Sequence, residues 1–320
     1  MPKPTDKVAG SARIDRRSLL KCMAWAGTGV VWTMVGGVPR AAGLIGSAEA
    51  AAAMTEGLAF AQISDTHVGF NKEANPDATG TLRAAIAKIN ALPHQPDFII
   101  HTGDVSHLSK PAEYDLAQQL LSEVKAGPIH FIPGEHDMLD DSPGTLFRER
   151  FGQGSLGDGW YSFDQSGVHF VALVNVVDMK AGGMGNLGEA QLAWLENDLK
   201  GRSASTPIIV LAHIPLWTIS ADWGWGTADA EQALGHLRRF GSVTVLNGHI
   251  HQVMQKVEGN ISLHTAMSTA FPQPAPGAAP SPGPMKVPAE QLRQLLGVAS
   301  VSVTPNRGAV ALVEMPLSES

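Results

Sequence analysis

The sequence predicts an α/β protein, and three observations carry that prediction. From residue 58 onward, short β-branched runs alternate with stretches of helical period. Nearly every one of those runs ends in a side chain able to hold a metal ion, and a later block of strand-like segments follows them. The composition agrees: 44% hydrophobic and 17% charged residues, at a mean hydropathy of zero, lie in the globular range. At 320 residues the chain can bury one large core or two modest ones.

The amino-terminal segment comes first and is compositionally distinct. Seven basic and three acidic residues in the first 50 leave 16 basic against 27 acidic in the remainder, so a basic leader precedes an acidic body. A charged stretch ends in Arg16-Arg17-Ser18-Leu19-Leu20-Lys21, a Gly-diluted apolar stretch covers 22–38, and small residues continue to Ala53. That order is the outline of an export signal, with Ala48-Glu49-Ala50 as a small-x-small cleavage candidate. The paired arginines followed by leucines resemble a twin-arginine signal. This implies the twin-arginine translocation machinery as a partner and a periplasmic or secreted location. An uncleaved membrane anchor is the alternative. The chain thus divides into a leader, 1–53, and a domain, 54–320. Cys22, the single cysteine, lies in the leader, which excludes a disulfide, a thiolate zinc site and a cysteine nucleophile from the domain. The body has no strongly apolar run of the length a membrane span requires. A net charge of −7 argues against a nucleic-acid polymer as partner, because neutralising phosphates requires a basic surface.

Within the domain, the runs 58–63, 98–101, 129–132, 169–174, 208–212 and 243–246 are short and apolar, as strands buried on both faces of a first sheet would be. Apolar residues spaced three and four apart predict helices over 81–92, 112–124, 189–199 and 229–240. Segments 253–257, 261–265, 300–303 and 309–313 predict a second, more antiparallel sheet, with Gly259-Asn260 turning its first pair. Seven prolines within 272–288 exclude a helix or central strand there and predict a structured surface loop.

The chemistry gathers where strands end. The run 58–63 leads into Ser64-Asp65-Thr66-His67, 98–101 into Thr102-Gly103-Asp104, and 129–132 into Pro133-Gly134-Glu135-His136-Asp137. The run 208–212 leads into His213, and 243–246 into Asn247-Gly248-His249-Ile250-His251. Ligands of open α/β sheets bind beyond the carboxyl ends of the strands, so these residues are expected to converge. Asp65 and His67 are two apart, as are His249 and His251. Alternate residues of an extended segment share a side, so each pair is expected to present two ligands to one cleft. His101, His169 and His264 lie inside apolar runs and read as core or sheet-face histidines, while His94, His130 and His236 lack ligand-like neighbours. His107, close after Asp104, stands open between facing the site and facing away. Imidazole and carboxylate donors without thiolates suit Mn, Fe or Zn. Two such ions about 3.5–4 Å apart clamp an in-line displacement at phosphorus and acidify a water between them.

The ordered set Asp65-x-His67, Gly103-Asp104, Gly134-Glu135-His136-Asp137, His213 and Gly248-His249-x-His251 resembles the calcineurin-like metallophosphoesterase family. The resemblance implies a four-layer αββα sandwich of two mixed β-sheets flanked by helices, with two divalent or trivalent metal ions at its edge. It implies that Asp65, His67 and His251 hold the first ion, Asp104 bridges, and Glu135, His213 and His249 hold the second. His136 would assist the leaving group or orient the phosphate, with Asp137 as its hydrogen-bond partner. The family usually has Asn where this chain has Glu135, a longer ligand that adds a negative charge facing the substrate.

Tryptophans at 217, 223 and 225 follow His213 in a glycine-containing loop, either as an aromatic wall of the site or as packing for the loop. These features together predict an exported phosphoesterase acting on a small-molecule phosphoester, with phosphodiesters ahead. The alternatives are a phosphomonoesterase of the same family and a catalytically silent metal-binding module.

Overall fold

The computed structural model describes residues 57–177, 179, 182–304 and 310–318, together with an antiparallel hairpin of β1 (Val30–Val35) and β2 (Val38–Gly43). The remainder of the expected leader, Arg16, Arg17 and Cys22 included, lies outside the described residues. Two mixed sheets face each other and helices cover their outer surfaces. The first sheet has the order β13-β12-β3-β4-β5, with β3 (Leu58–Ile63), β4 (Phe98–His101), β5 (Ile129–Phe131), β12 (Gly297–Val303) and β13 (Val310–Pro316). The second runs β10-β11-β9-β8-β7-β6, with β6 (Tyr161–Gln165), β7 (Val168–Ala172), β8 (Ile208–Leu211), β9 (Val243–Asn247), β10 (Gln255–Glu258) and β11 (Ile261–Thr265).

The alternation of strand side chains explains why there are two sheets. Ile208 and Val210 of β8 pack outward against Leu195 and Leu199 of α4 (Glu189–Leu199) and Leu234 and Leu237 of α5 (Ala230–Leu237). Ile209 and Leu211 of the same strand turn inward to meet Phe60, Phe98 and Ile100 of the other sheet. On the far side, Ala61, Ile63 and Ile99 pack against Leu82 and Ile86 of α1 (Ala78–Asn90) and Ala117 and Leu120 of α2 (Pro111–Leu121). Three apolar layers separate four layers of backbone, which is an αββα sandwich. Phe60, Phe98 and Phe170 hold the middle layer, with the Phe60 and Phe98 rings stacked at 5.0 Å. Truncating any of them to Ala is worth about 3–5 kcal/mol of stability.

Two expectations are corrected. The six early runs do not share one sheet, and the four late segments do not form their own. Instead β12 pairs antiparallel with β3, and β11 pairs parallel with β9. Strands apolar on both faces carry no local mark of which neighbour they join; the crossover helices and the packing layers decide. Further, β6, α3 (Thr145–Phe151) and α6 (Ala289–Leu295) were not anticipated. They are short and, apart from Phe147, carry no fully buried side chains, so their periodicity is weak. The run 272–288 forms neither helix nor strand, as its prolines require. Among the described residues no helix is long and apolar enough to cross a membrane.

Candidate metal centre

The carboxyl ends of β3, β4 and β5 from one sheet and of β8 and β9 from the other meet at one edge of the sandwich. The seam is hydrogen bonded. The backbone N–H of His249 donates to Asp65 Oδ1 at 3.0 Å, and Gln62 Nε2 donates to Thr102 Oγ1 and to the Asn247 carbonyl. The donors that sequence spacing singled out gather there. Asp65, His67 and His251 form one set, and Glu135, His213 and His249 another, with ligand atoms in each set within 4.8 Å of one another. Asp104 Oδ2 lies 3.3 Å from His67 Nε2 and 3.5 Å from His213 Nε2, one contact to each set.

The backbone route to this geometry differs from the extended-segment expectation. Asp65, His67, Asp104, His249 and His251 all have positive φ, between 39° and 69°. Non-glycine residues pay of the order of 1–2 kcal/mol each for this left-handed conformation. The two-apart pairs therefore reach the cluster because their backbones turn sharply, not because they are extended, and His249 and His251 go to different donor sets. Gly103, at φ +98°, leaves room for the His213 ring: a Cβ there would lie 2.3 Å from His213 Nδ1.

Second partners fix the ring tautomers. His213 Nδ1–H donates to the Thr102 carbonyl at 2.7 Å, and His251 Nδ1–H donates to the Phe271 carbonyl at 2.6 Å. Each ring is left with its Nε2 lone pair turned to the cluster. His213 Nε2 stands 2.9 Å from Glu135 Oε2, and His249 Nδ1 2.9 Å from Glu135 Oε1. Nevertheless His213 Nε2, Glu135 Oε2 and both His249 ring nitrogens are buried without a hydrogen-bond partner among the described residues. Metal–ligand bonds of about 2.0–2.2 Å place neighbouring donors about 3 Å apart, so the separations seen suit cations between these groups.

Electrostatics lead the same way. Burial alone would raise the Glu135 carboxyl, but His249 and His213 outweigh it and hold it well below the usual carboxylate range. Burial disfavours a charged His213, yet Asp104 and Glu135 prevail and lift its pKa well above the ordinary value. Burial and the neighbouring histidines push His67 well below it. Three carboxylates in so small a buried space call for positive charge, which a protonated His213 or a bound cation can supply.

His136 and Asp137 part company. His136 Nδ1–H donates to the His107 carbonyl at 2.7 Å, and its ring stacks on that of His107 at 4.9 Å. Asp137 does not support His136, contrary to the expected hydrogen bond. It accepts from the backbone N–H of Val105, Ser106 and Gly134 and from Ser106 Oγ, tying the β4 and β5 exits together. His107 faces the site, its Nδ1 3.4 Å from that of His67. His101 is fully buried beside Thr66 Oγ1, His169 lies between Asp164 and Asp198, and His264 contacts Glu314. All three are packing histidines outside both donor sets.

A cleft of about 700 Å³ opens over the cluster. Met138, Leu139, Val176, Met179, Trp223 and Trp225 line it, with Met138 and Met179 packed in one apolar group with Val176, and the proline-rich run contributes Gln273 and Pro282–Pro284. Sequence spacing missed Phe70, Met138, Leu139 and Val176. The first three lie within three residues of a cluster residue, and that adjacency was the available signal.

The family model described as calcineurin-like phosphoesterase matches residues 58–253. A serine/threonine-protein phosphatase, CPPED1, of Danio rerio is 29% identical over 184 residues, covering 53% of this chain and 59% of that protein. A 3′,5′-cyclic-nucleotide phosphodiesterase of Nostoc sp. is 23% identical over 220 residues, covering 67% and 79%. The glycerophosphodiester phosphodiesterase GpdQ of Enterobacter lignolyticus is 25% identical over 226 residues, covering 68% and 79%. Among solved structures, a dimetal phosphatase from Danio rerio superposes with a TM-score of 0.61 at 16% identity, over 82% of this chain and 98% of that one. That likeness shows the shared sandwich fold.

Proposed function

This chain belongs to the calcineurin-like phosphoesterase family, and on that premise we propose that it is an exported, metal-dependent phosphodiesterase with a dinuclear centre. The observation that supports it most is the pair of three-residue donor sets with Asp104 contacting both. In this assignment Asp65, His67 and His251 would hold one ion, Glu135, His213 and His249 would hold the second, and Asp104, in contact with both sets, would be a ligand available to either. Bound there, Mn, Fe or Zn ions supply charge to the phosphoryl oxygens and acidify water enough to ionise near neutral pH.

The chain's own groups do the rest. His136, its Nδ1–H occupied by the His107 carbonyl, keeps Nε2 for the proton of the departing alcohol or for a phosphoryl oxygen. Thr102 and Phe271 carbonyls hold the donor rings in place. A phosphomonoester carries about −1.5 to −2 charge near neutrality and a diester one. The Glu135 carboxylate adds a negative charge where the family usually has a neutral amide, and this repulsion favours the diester. The substrate is a small-molecule phosphoester, and export proceeds by the twin-arginine machinery reading Arg16 and Arg17.

Turnover of bis(p-nitrophenyl) phosphate and of p-nitrophenyl phosphate by metal-free protein supplemented with Mn, Fe or Zn tests the proposal. Metal-dependent cleavage with a higher kcat/KM for the diester is expected. Metal uptake without cleavage of either ester would leave a silent metal-binding module.

A further inference from the structure

Resting on the phosphodiesterase assignment, we infer that the ester group carried by the natural substrate is a flat apolar one, an aryl or fused-ring alcohol, and not a polyol or a second phosphate. The walls of the cleft above the donor cluster carry this inference. Met138 and Leu139 line the cleft, the latter 56% exposed although strongly apolar. An apolar ligand group lying over Leu139 and the neighbouring apolar lining would remove that surface from water. Val176 and Met179 pack in one apolar group with Met138, and Trp223 lines the same cleft. The half-buried Trp223 ring is set edge-on against the fully buried Trp225 at 5.0 Å and 87°. The Trp225 indole anchors the wall, and Trp223 borders the space a ligand would fill.

The polar complement is sparse. Outside the donor cluster and its histidines, Lys72 is the only formally charged side chain among the described lining residues, and Gln273 the only amide. A polyol entering here would exchange water for few hydrogen bonds, and each buried hydroxyl left unpaired costs about 1–3 kcal/mol. A second phosphate would find no arginine fork.

The wall is also built in advance. Ala228 N–H donates to the Gly185 carbonyl at 2.8 Å and Gly185 N–H to the Gly226 carbonyl at 2.9 Å, locking the tryptophan loop to the segment after β7. Gly224, at φ +70°, permits the closest approach, since a Cβ there would lie 2.5 Å from the Gly183 carbonyl oxygen. A wall already ordered costs little to bind against, so apolar contact converts into affinity.

Calorimetric titration of the metal-loaded full chain with methylphosphonate and with (naphthylmethyl)phosphonate tests this, alongside turnover of bis(p-nitrophenyl) phosphate. The fused-ring ligand is expected to bind about tenfold or more tightly, from the apolar area it covers. The ratio of the two constants should fall toward one in Trp223→Ala and decrease in Leu139→Ser, whose exposed position tolerates the change. Equal affinities in the wild type, with ester turnover intact, overturn the inference and leave the phosphodiesterase assignment standing. An unchanged ratio in both variants also overturns it. Absence of turnover together with absence of binding by either phosphonate overturns both.

Discussion

Glu135 Oε2 lies 2.9 Å from His213 Nε2, while the other nitrogen of that ring donates to the Thr102 carbonyl. Two groups that would both accept a hydrogen bond are thus pressed together, and either a proton or a shared cation must stand between them. Asp104 repeats the situation 3.5 Å away from the same nitrogen. The centre is therefore organised to be completed by positive charge, and the Thr102 and Phe271 carbonyls already hold two of its rings, those of His213 and His251.

Asp104 is the first residue to remove. It contacts a donor of each set, and its Oδ1 also accepts the His136 N–H at 2.9 Å. Loss of a supporting partner beyond the ligands already costs about 10–100-fold in metal affinity or activity, so Asp104→Ala should exceed that in both. Elemental analysis and initial rates check it. Full metal content with full activity would remove Asp104 from the centre.

Glu135 stands where the resemblance drawn from the sequence implies an asparagine. Glu135→Asn should lower metal affinity modestly while tightening phosphate inhibition, because one negative charge leaves a site where charges are poorly screened. Glu135→Ala should empty the second position selectively, leaving about half the metal. Metal titration with phosphate inhibition measured beside it decides, and wild-type values in both variants would make Glu135 a bystander.

Asp137 should behave as a structural clamp. Asp137→Ala strands the N–H groups of Val105, Ser106 and Gly134, each worth about 1–3 kcal/mol when buried and unpaired. A Tm lowered by several degrees is expected, with the pH profile of any residual activity unchanged in shape. An unchanged Tm with abolished turnover would return Asp137 to the chemistry.

Acid stability should depend on Asp198. Burial would raise its carboxyl, but hydrogen bonds from His169 and Ser162 prevail and hold its pKa below the ordinary value. A carboxyl lowered on folding stabilises the protein above its unfolded pKa of about 3.9, and that stabilisation is lost as pH falls through the folded pKa. Asp198→Asn should therefore cost about 1–3 kcal/mol at neutral pH, and the gap to wild type should narrow below about pH 4. Urea midpoints between pH 3 and 7 test this; a gap constant across the range would contradict it.

Export tests the leader. If the paired guanidinium groups are read as such, Arg16→Lys with Arg17→Lys should strand precursor in the cytoplasm at unchanged charge. Normal yield of the double variant outside the cytoplasm would indicate the general secretory route.

Local sequence determined a good deal of this protein. Short β-branched runs and three-four periodicity marked most strands and the four longer helices, because burial on a strand or helix face selects residue types at fixed spacing. The donor residues were legible for a related reason: imidazole and carboxylate at strand exits have few structural uses in common. Three things were decided only by tertiary structure. Strands apolar on both faces can join either sheet, so the division of β3 and β8 between two sheets awaited packing of the phenylalanine layer. The left-handed backbones of Asp65, His67, Asp104, His249 and His251 are not legible in sequence, since Asp and His adopt positive φ more readily than most residues but only their surroundings enforce it. The hydrogen bonds of Asp137 and the cleft walls of Met138, Leu139 and Trp223 join residues that are close in space through the meeting of two sheets and their loops. No local pattern encodes which distant backbone amide or side chain will stand opposite.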